Sequence, residues 1–151
     1  MAVPARLRHI KDNETTAKFM VLDEADKLYE HCINCCGAKA VKDNEEYSHL
    51  GKKIVKTALE IYTLCFYANS VPFYKDTMTE ENFRERTKSQ LQAFKLCITL
   101  QAFINLGRRH FQWRKKKINY WCGLCDKLKD LIYKWYLKTI EIYEDSTNKA
   151  S

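Results

Sequence analysis

INYWCGLCDKLKDLIYKWYLKTIEI, residues 118–142, is the stretch that decides the fold. Ile118, Trp121, Cys125, Leu128, Ile132, Trp135, Thr139 and Ile142 follow one another by alternating steps of three and four residues. That spacing lays side chains along one face of an α-helix, whereas a half-buried strand would need a period of two. The helix is predicted from about Arg114 to about Glu144. Lys116, Tyr120, Lys127, Lys134 and Lys138 then project from its other side, because successive side chains turn about 100° around a helix.

Three more helices precede it. The first is predicted from about Glu14 to Cys36, with Leu22, Ala25, Tyr29, Cys32 and Cys36 on one face and Gly37 as its stop. The second opens near Asp43 or Asn44, both good capping types, and runs to about Asn69. Its stripe is Tyr47, Leu50, Ile54, Ala58, Ile61, Cys65 and Ala68. SVPFYKDTM, residues 70–78, is a linker in which Pro72 bars helix continuation. The third helix starts at Thr79, places Glu80 and Glu81 at the positive end of its dipole, and reaches about Phe111. Its second half is apolar on more than one side, through Leu96, Cys97, Ile98, Leu100, Ala102, Phe103, Ile104 and Leu106. One core stripe does not need so many: either this helix is buried in the middle of the fold or its far side meets another subunit, and the subunit contact is expected.

Composition agrees. A chain of 151 residues is one domain with a real core, and 4 Gly and 2 Pro leave few turns. No apolar run is long enough to span a membrane, and the N-terminal residues have no apolar segment of a secretory signal behind them, so a cytoplasmic location is expected. Seven cysteines, an odd number, are then expected as reduced thiols. The predicted fold is all-α: an up-down-up-down four-helix bundle over residues 14–144, with flexible tails at 1–13 and 145–151, assembling into a ring-like homo-oligomer.

Charge is unevenly placed. Residues 105–138 hold ten Lys or Arg against Asp126 and Asp130, so this segment carries essentially all of the net charge of +7. In the predicted topology helices two and four begin, and helix three ends, at one pole. Lys52, Lys53 and Lys56 therefore approach Arg108, Arg109, Arg114, Lys115, Lys116 and Lys117, with Lys127 and Lys134 descending from that pole. A basic pole interleaved with His110, Trp113 and Tyr120 suits phosphates and stacked bases, although Trp113 also suits plain packing of the turn between helices three and four. Four cations in a helix's first turn oppose the dipole, which argues for a bound polyanion.

Two Cys-x-x-Cys pairs, Cys32 with Cys35 and Cys122 with Cys125, are the competing motif, since four thiolates can hold zinc. Both pairs lie on helices rather than on knuckle-like turns, and Cys32 and Cys125 fall on core stripes, where cysteine acts as a small hydrophobe. No Gly-rich phosphate loop, nucleophile elbow or Glu-x-x-His pattern occurs, so neither catalysis nor a cofactor is expected.

HLGKKIVKTALEIYTLCFYAN (49–69), QLQAFKLCITLQAFINLGRR (90–109) and KLKDLIYKWYLK (127–138) together resemble the accessory variability determinant proteins of diversity-generating retroelements, which belong with the four-helix proteins encoded in 23S rRNA intervening sequences. The marks are the opening Leu50 to Ile54 of helix two and the ungapped distance from the apolar third helix to Trp135. The resemblance implies a basic homopentamer of four-helix bundles that binds template RNA and a reverse transcriptase and supports adenine-mutagenic cDNA synthesis without being catalytic. Lys52, Lys53, Arg108 and Arg109 are the basic positions that match it; Tyr133 and Lys134 stand where the family often has small residues. The alternatives are a zinc-stabilised or plain helical bundle that binds other proteins, and an rRNA intervening-sequence protein of unknown role.

Overall fold

The computed structural model describes residues 13–37, 43, 45–111 and 113–150, with side chains described from Met20 to Lys149. It holds four α-helices and, among the described residues, no strand: α1 (Asn13–Cys36), α2 (Glu45–Ser70), α3 (Glu80–Phe111) and α4 (Lys115–Ala150). Each helix packs on the next, and α4 closes back onto α1. Cross-helix pairs show that neighbours run antiparallel. Tyr47 meets Phe111 and Tyr67 bonds Glu85 between α2 and α3, Arg86 reaches Thr139 between α3 and α4, and Cys32 accepts from Trp121 between α1 and α4.

The stripe that led to the bundle lies in its centre. Ile118, Trp121, Cys125, Leu128, Ile132 and Trp135 are buried with Thr139, joined by Ile54, Ala58, Ile61 and Cys65 from α2 and by Ala93, Cys97, Leu100 and Ile104 from α3. In α1 the buried face is turned from the expected one. Val21, Ala25, Leu28, Cys32, Cys35 and Cys36 form the core, so Ala25, Cys32 and Cys36 of the expected stripe are buried while Leu22 and Tyr29 are half-buried at its edge. The reason is that α1 must present one flank to α2 and the other to α4, where Glu24 and His31 are engaged.

Helix ends follow local chemistry. Thr79 caps α3, its hydroxyl accepting from the Asn82 amide at 3.1 Å. Arg114 precedes the first turn of α4, its carbonyl accepting from the Ile118 amide at 3.1 Å. Three lysines rather than four cations therefore occupy that turn. Gly37 ends α1 without a left-handed φ, and its need is space: a Cβ there would lie 2.9 Å from the Ile33 carbonyl oxygen. The expected tail boundaries are corrected at both ends. Asn13 already belongs to α1, and α4 runs past Glu144 to Ala150. Nothing after Glu144 stops a helix, since no Gly or Pro follows, and the Thr147 hydroxyl donates back to the Glu144 carbonyl at 2.9 Å. Residues 1–12 and Ser151, where the rest of those tails was expected, lie outside the described residues.

Two polar features interrupt the apolar core. Glu24 is 5% exposed and accepts from Lys127 of α4 at 3.0 Å and from Lys27 at 3.2 Å. Toward the opposite pole, the Thr139 hydroxyl accepts from Arg86 Nε at 3.3 Å and Gln90 Nε2 at 3.1 Å and donates to the Trp135 carbonyl at 3.0 Å. Arg86 and Gln90 are fully buried there, and the Arg86 guanidinium also lies over Phe73 and Trp135.

Candidate nucleic-acid interface

The C-termini of α1 and α3 and the N-termini of α2 and α4 share one pole, where most of the expected basic residues gather. They form a collar rather than a single patch. Lys52 and Lys56 line the groove between α1 and α2, beside Ile33, Val55 and Leu59. Lys53 lines the groove between α2 and α3, beside His110. Arg108 lies near Cys122 on the α3–α4 side, and Lys117 near His31, Cys35 and Cys36 on the α4–α1 side.

The helix dipoles sort these cations. Arg108, Arg109 and His110 occupy the last turn of α3, where carbonyl groups favour positive charge. Lys117 leans over the end of α1, which has the same polarity, and its ammonium lies 5.8 Å from the Trp113 ring centre. Arg114, Lys115 and Lys116 differ. They are exposed at the positive end of α4, and no acidic group among the described residues pairs with them. Helix stability gives no reason for their presence.

Two expected contact residues lie along α4 away from the pole, as the descending stripe predicts. Lys127 is engaged by the buried Glu24 carboxylate. Burial alone would raise the pKa of Glu24, but hydrogen bonds and charge from Lys127 and Lys27 outweigh it and hold the carboxyl below its ordinary value. Lys134 is exposed but stands 19 positions along α4 from Lys115, roughly 28 Å from the pole at 1.5 Å per residue. The collar also contains acids that the basic reading passed over: Asp43, Glu45 and Glu46 at the start of α2, where the dipole favours them. Their signal was present, as acidic residues beside a predicted cap, but a count of net charge hides it.

Trp113 is a packing residue. It is half-buried, with ring centres 4.5 Å from Phe111 and 5.0 Å from Trp121, and it covers Gly107, where a Cβ would lie 2.6 Å from the indole. Tyr120 is 59% exposed and meets His31 edge-on at 5.0 Å, so it remains available as a stacking surface.

The cysteines do not assemble the alternative zinc site. Cys32 and Cys125 are buried in the core, Cys35 faces His31 at 3.3 Å, and Cys122 is half-buried. Among the described residues no three His, Cys, Asp or Glu side chains stand together as a metal site. Burial pushes the Cys32, Cys36 and Cys97 thiols up to about 12 and raises Cys65 and Cys125 as well, so these groups remain neutral packing atoms. No described helix is long and apolar enough to cross a membrane. No known protein family, curated protein or solved structure matches the chain.

Proposed function

We propose that this four-helix bundle is a non-catalytic RNA-binding protein whose contact surface is the basic collar. The observation that carries the reading is the trio Arg114, Lys115 and Lys116: exposed, unpaired among the described residues and set against a helix dipole. A phosphate backbone relieves that repulsion, and Lys52, Lys53, Lys56, Arg108 and Arg109 extend the same surface around the pole. Nothing in the collar forms a base-reading code, so affinity comes mainly from backbone charge.

Its particular role, on this proposal, is that of a cytoplasmic accessory protein of a diversity-generating retroelement. It binds template RNA and a reverse transcriptase and works as a homo-oligomer, a pentamer on the resemblance drawn from helices two to four. Exposed Ile98 and Ala102 on α3, outside the α2–α3 groove, support the subunit contact. Reversing Arg114, Lys115 and Lys116 to Glu tests the collar. The expected result is an RNA affinity at least about tenfold lower, with the slope of log K against log salt shallower by roughly 2 for a single strand. Unchanged affinity and slope would remove the collar from the function. The narrower role is tested first by whether a reverse transcriptase is encoded beside this gene, and then by template-directed cDNA synthesis by that enzyme with and without the protein.

The second reading, a bundle that binds other proteins, is favoured by one feature. Ile33, Leu59 and Phe66 are 41%, 46% and 54% exposed. Val55 lines the α1–α2 groove with the first two, and Phe66 lies further along α2.

A further inference from the structure

The groove between α2 and α3 opens at the basic pole and encloses about 370 Å³, space for one heteroaromatic ring system. Its walls are apolar: Leu50 and Tyr47 on α2, Phe103 and Leu106 on α3. Leu106 is 47% exposed, so a wall of the groove faces solvent. The Tyr47 ring is held edge-on against Phe111 with centres 4.2 Å apart, and Phe111 rests in turn on Trp113 at 4.5 Å. This side of the groove is therefore fixed before anything enters it.

We propose that this groove holds one unstacked nucleobase of a bound RNA strand. The inference rests on the RNA reading above and assigns it a site that backbone charge alone does not require. Three features select a base over other apolar occupants. First, the mouth carries Lys53, with Arg109 adjacent in sequence to the lining His110, so cations stand where the phosphates flanking an inserted base would pass. Second, Glu46, His49 and His110 stand among the apolar lining, a carboxylate acceptor and two imidazoles suited to the polar rim of a base. Third, an apolar partner helix would need a long strip, whereas the groove is short and ends at a charged pole. Single-stranded RNA is read in this way elsewhere, by splaying a base against aromatic and apolar side chains.

The test compares two fluorescently labelled ten-nucleotide RNAs of equal charge by anisotropy. One is oligouridylate, and the other has abasic riboses at its five central positions. The full-length protein is expected to bind the base-bearing strand about 5- to 100-fold more tightly. Leu106→Gln, an uncharged change at a half-exposed position, abolishes that preference and leaves affinity for the abasic strand unchanged. Lys53→Gln weakens both strands equally. Equal affinity of the unmodified protein for the two strands overturns the groove assignment while leaving RNA binding intact. Retained preference in Leu106→Gln also overturns it, and a fall in mass by light scattering with retained preference gives the groove to a second copy of the chain. Failure to bind either strand overturns the RNA reading itself.

Discussion

Lys127 separates a structural cation from a functional one, and replacing it with Met tests the distinction. Met keeps most of the apolar stem and removes the ammonium that lies 3.0 Å from Glu24. The magnitude follows from burial on the two sides of the pair. An exposed ion pair contributes at most about 1 kcal/mol. Stranding a buried charge costs about 3 to 5 kcal/mol. Here the Glu24 side chain is 7% exposed but Lys127 is 54% exposed, and Lys27 still reaches the same carboxylate oxygen at 3.2 Å. One partner survives, so the expected loss is about 1 to 2 kcal/mol. For a chain of this length that lowers Tm by about 3 to 6 °C. Thermal melts at neutral pH read this directly, and RNA affinity of the same variant should remain within about twofold because the lysine is already engaged. The pH dependence has a defined sign. Glu24 titrates below the ordinary carboxylate value when folded, so its contribution is complete above that value and lost as pH falls through the folded one. The unmodified protein and Lys127→Met should therefore converge in stability in acid. A variant that melts like the parent yet loses RNA affinity would refute the assignment and return Lys127 to the contact surface.

Three other perturbations are as specific. Gly107→Ala gains roughly 1 kcal/mol of helix propensity but drives a methyl group to 2.6 Å from Trp113. Overpacking of about 1 to 3 kcal/mol should prevail and shift the tryptophan emission; a more stable variant would contradict the packing described. Thr139→Val removes the acceptor shared by Arg86 and Gln90 and should cost about 2 to 4 kcal/mol in urea unfolding, while Thr139→Ser should recover most of it. Thiol titration of the native protein should show one fast group, Cys122, with the other six cysteines reacting only on unfolding; two or more fast thiols would contradict their burial.

The architecture was legible because apolar periodicity and the four-helix topology report the same thing. The alternation from Ile118 to Thr139 needs no long-range knowledge, and those seven side chains are buried together. The α2 stripe was equally plain from Ile54 to Ala68. What patterning missed was polar burial. Glu24, Arg86 and Gln90 are residue types that argue for water, and only partners on another helix make their burial tolerable. The basic pole was visible as a segment of charge, but its division among four seams was not. That division depends on which way each helix is turned, and in α1 the turn differs from the expected one. The pairing of Lys127 with Glu24 was hidden for the same reason: its partner is more than a hundred residues away in sequence.

The Arg86–Gln90–Thr139 layer has a consequence for how the helices are aligned along their lengths. A face built on threes and fours nearly repeats every seven residues, so α4 could slide two turns along α3 and still find apolar neighbours. Such a displacement would carry Thr139 about 10 Å from Gln90 and leave two buried donors without the hydroxyl that now receives them. One polar rung near the far end thus selects a single vertical setting from several that oil alone would accept, and so fixes the height at which α4 delivers Arg114, Lys115 and Lys116 to the opposite pole.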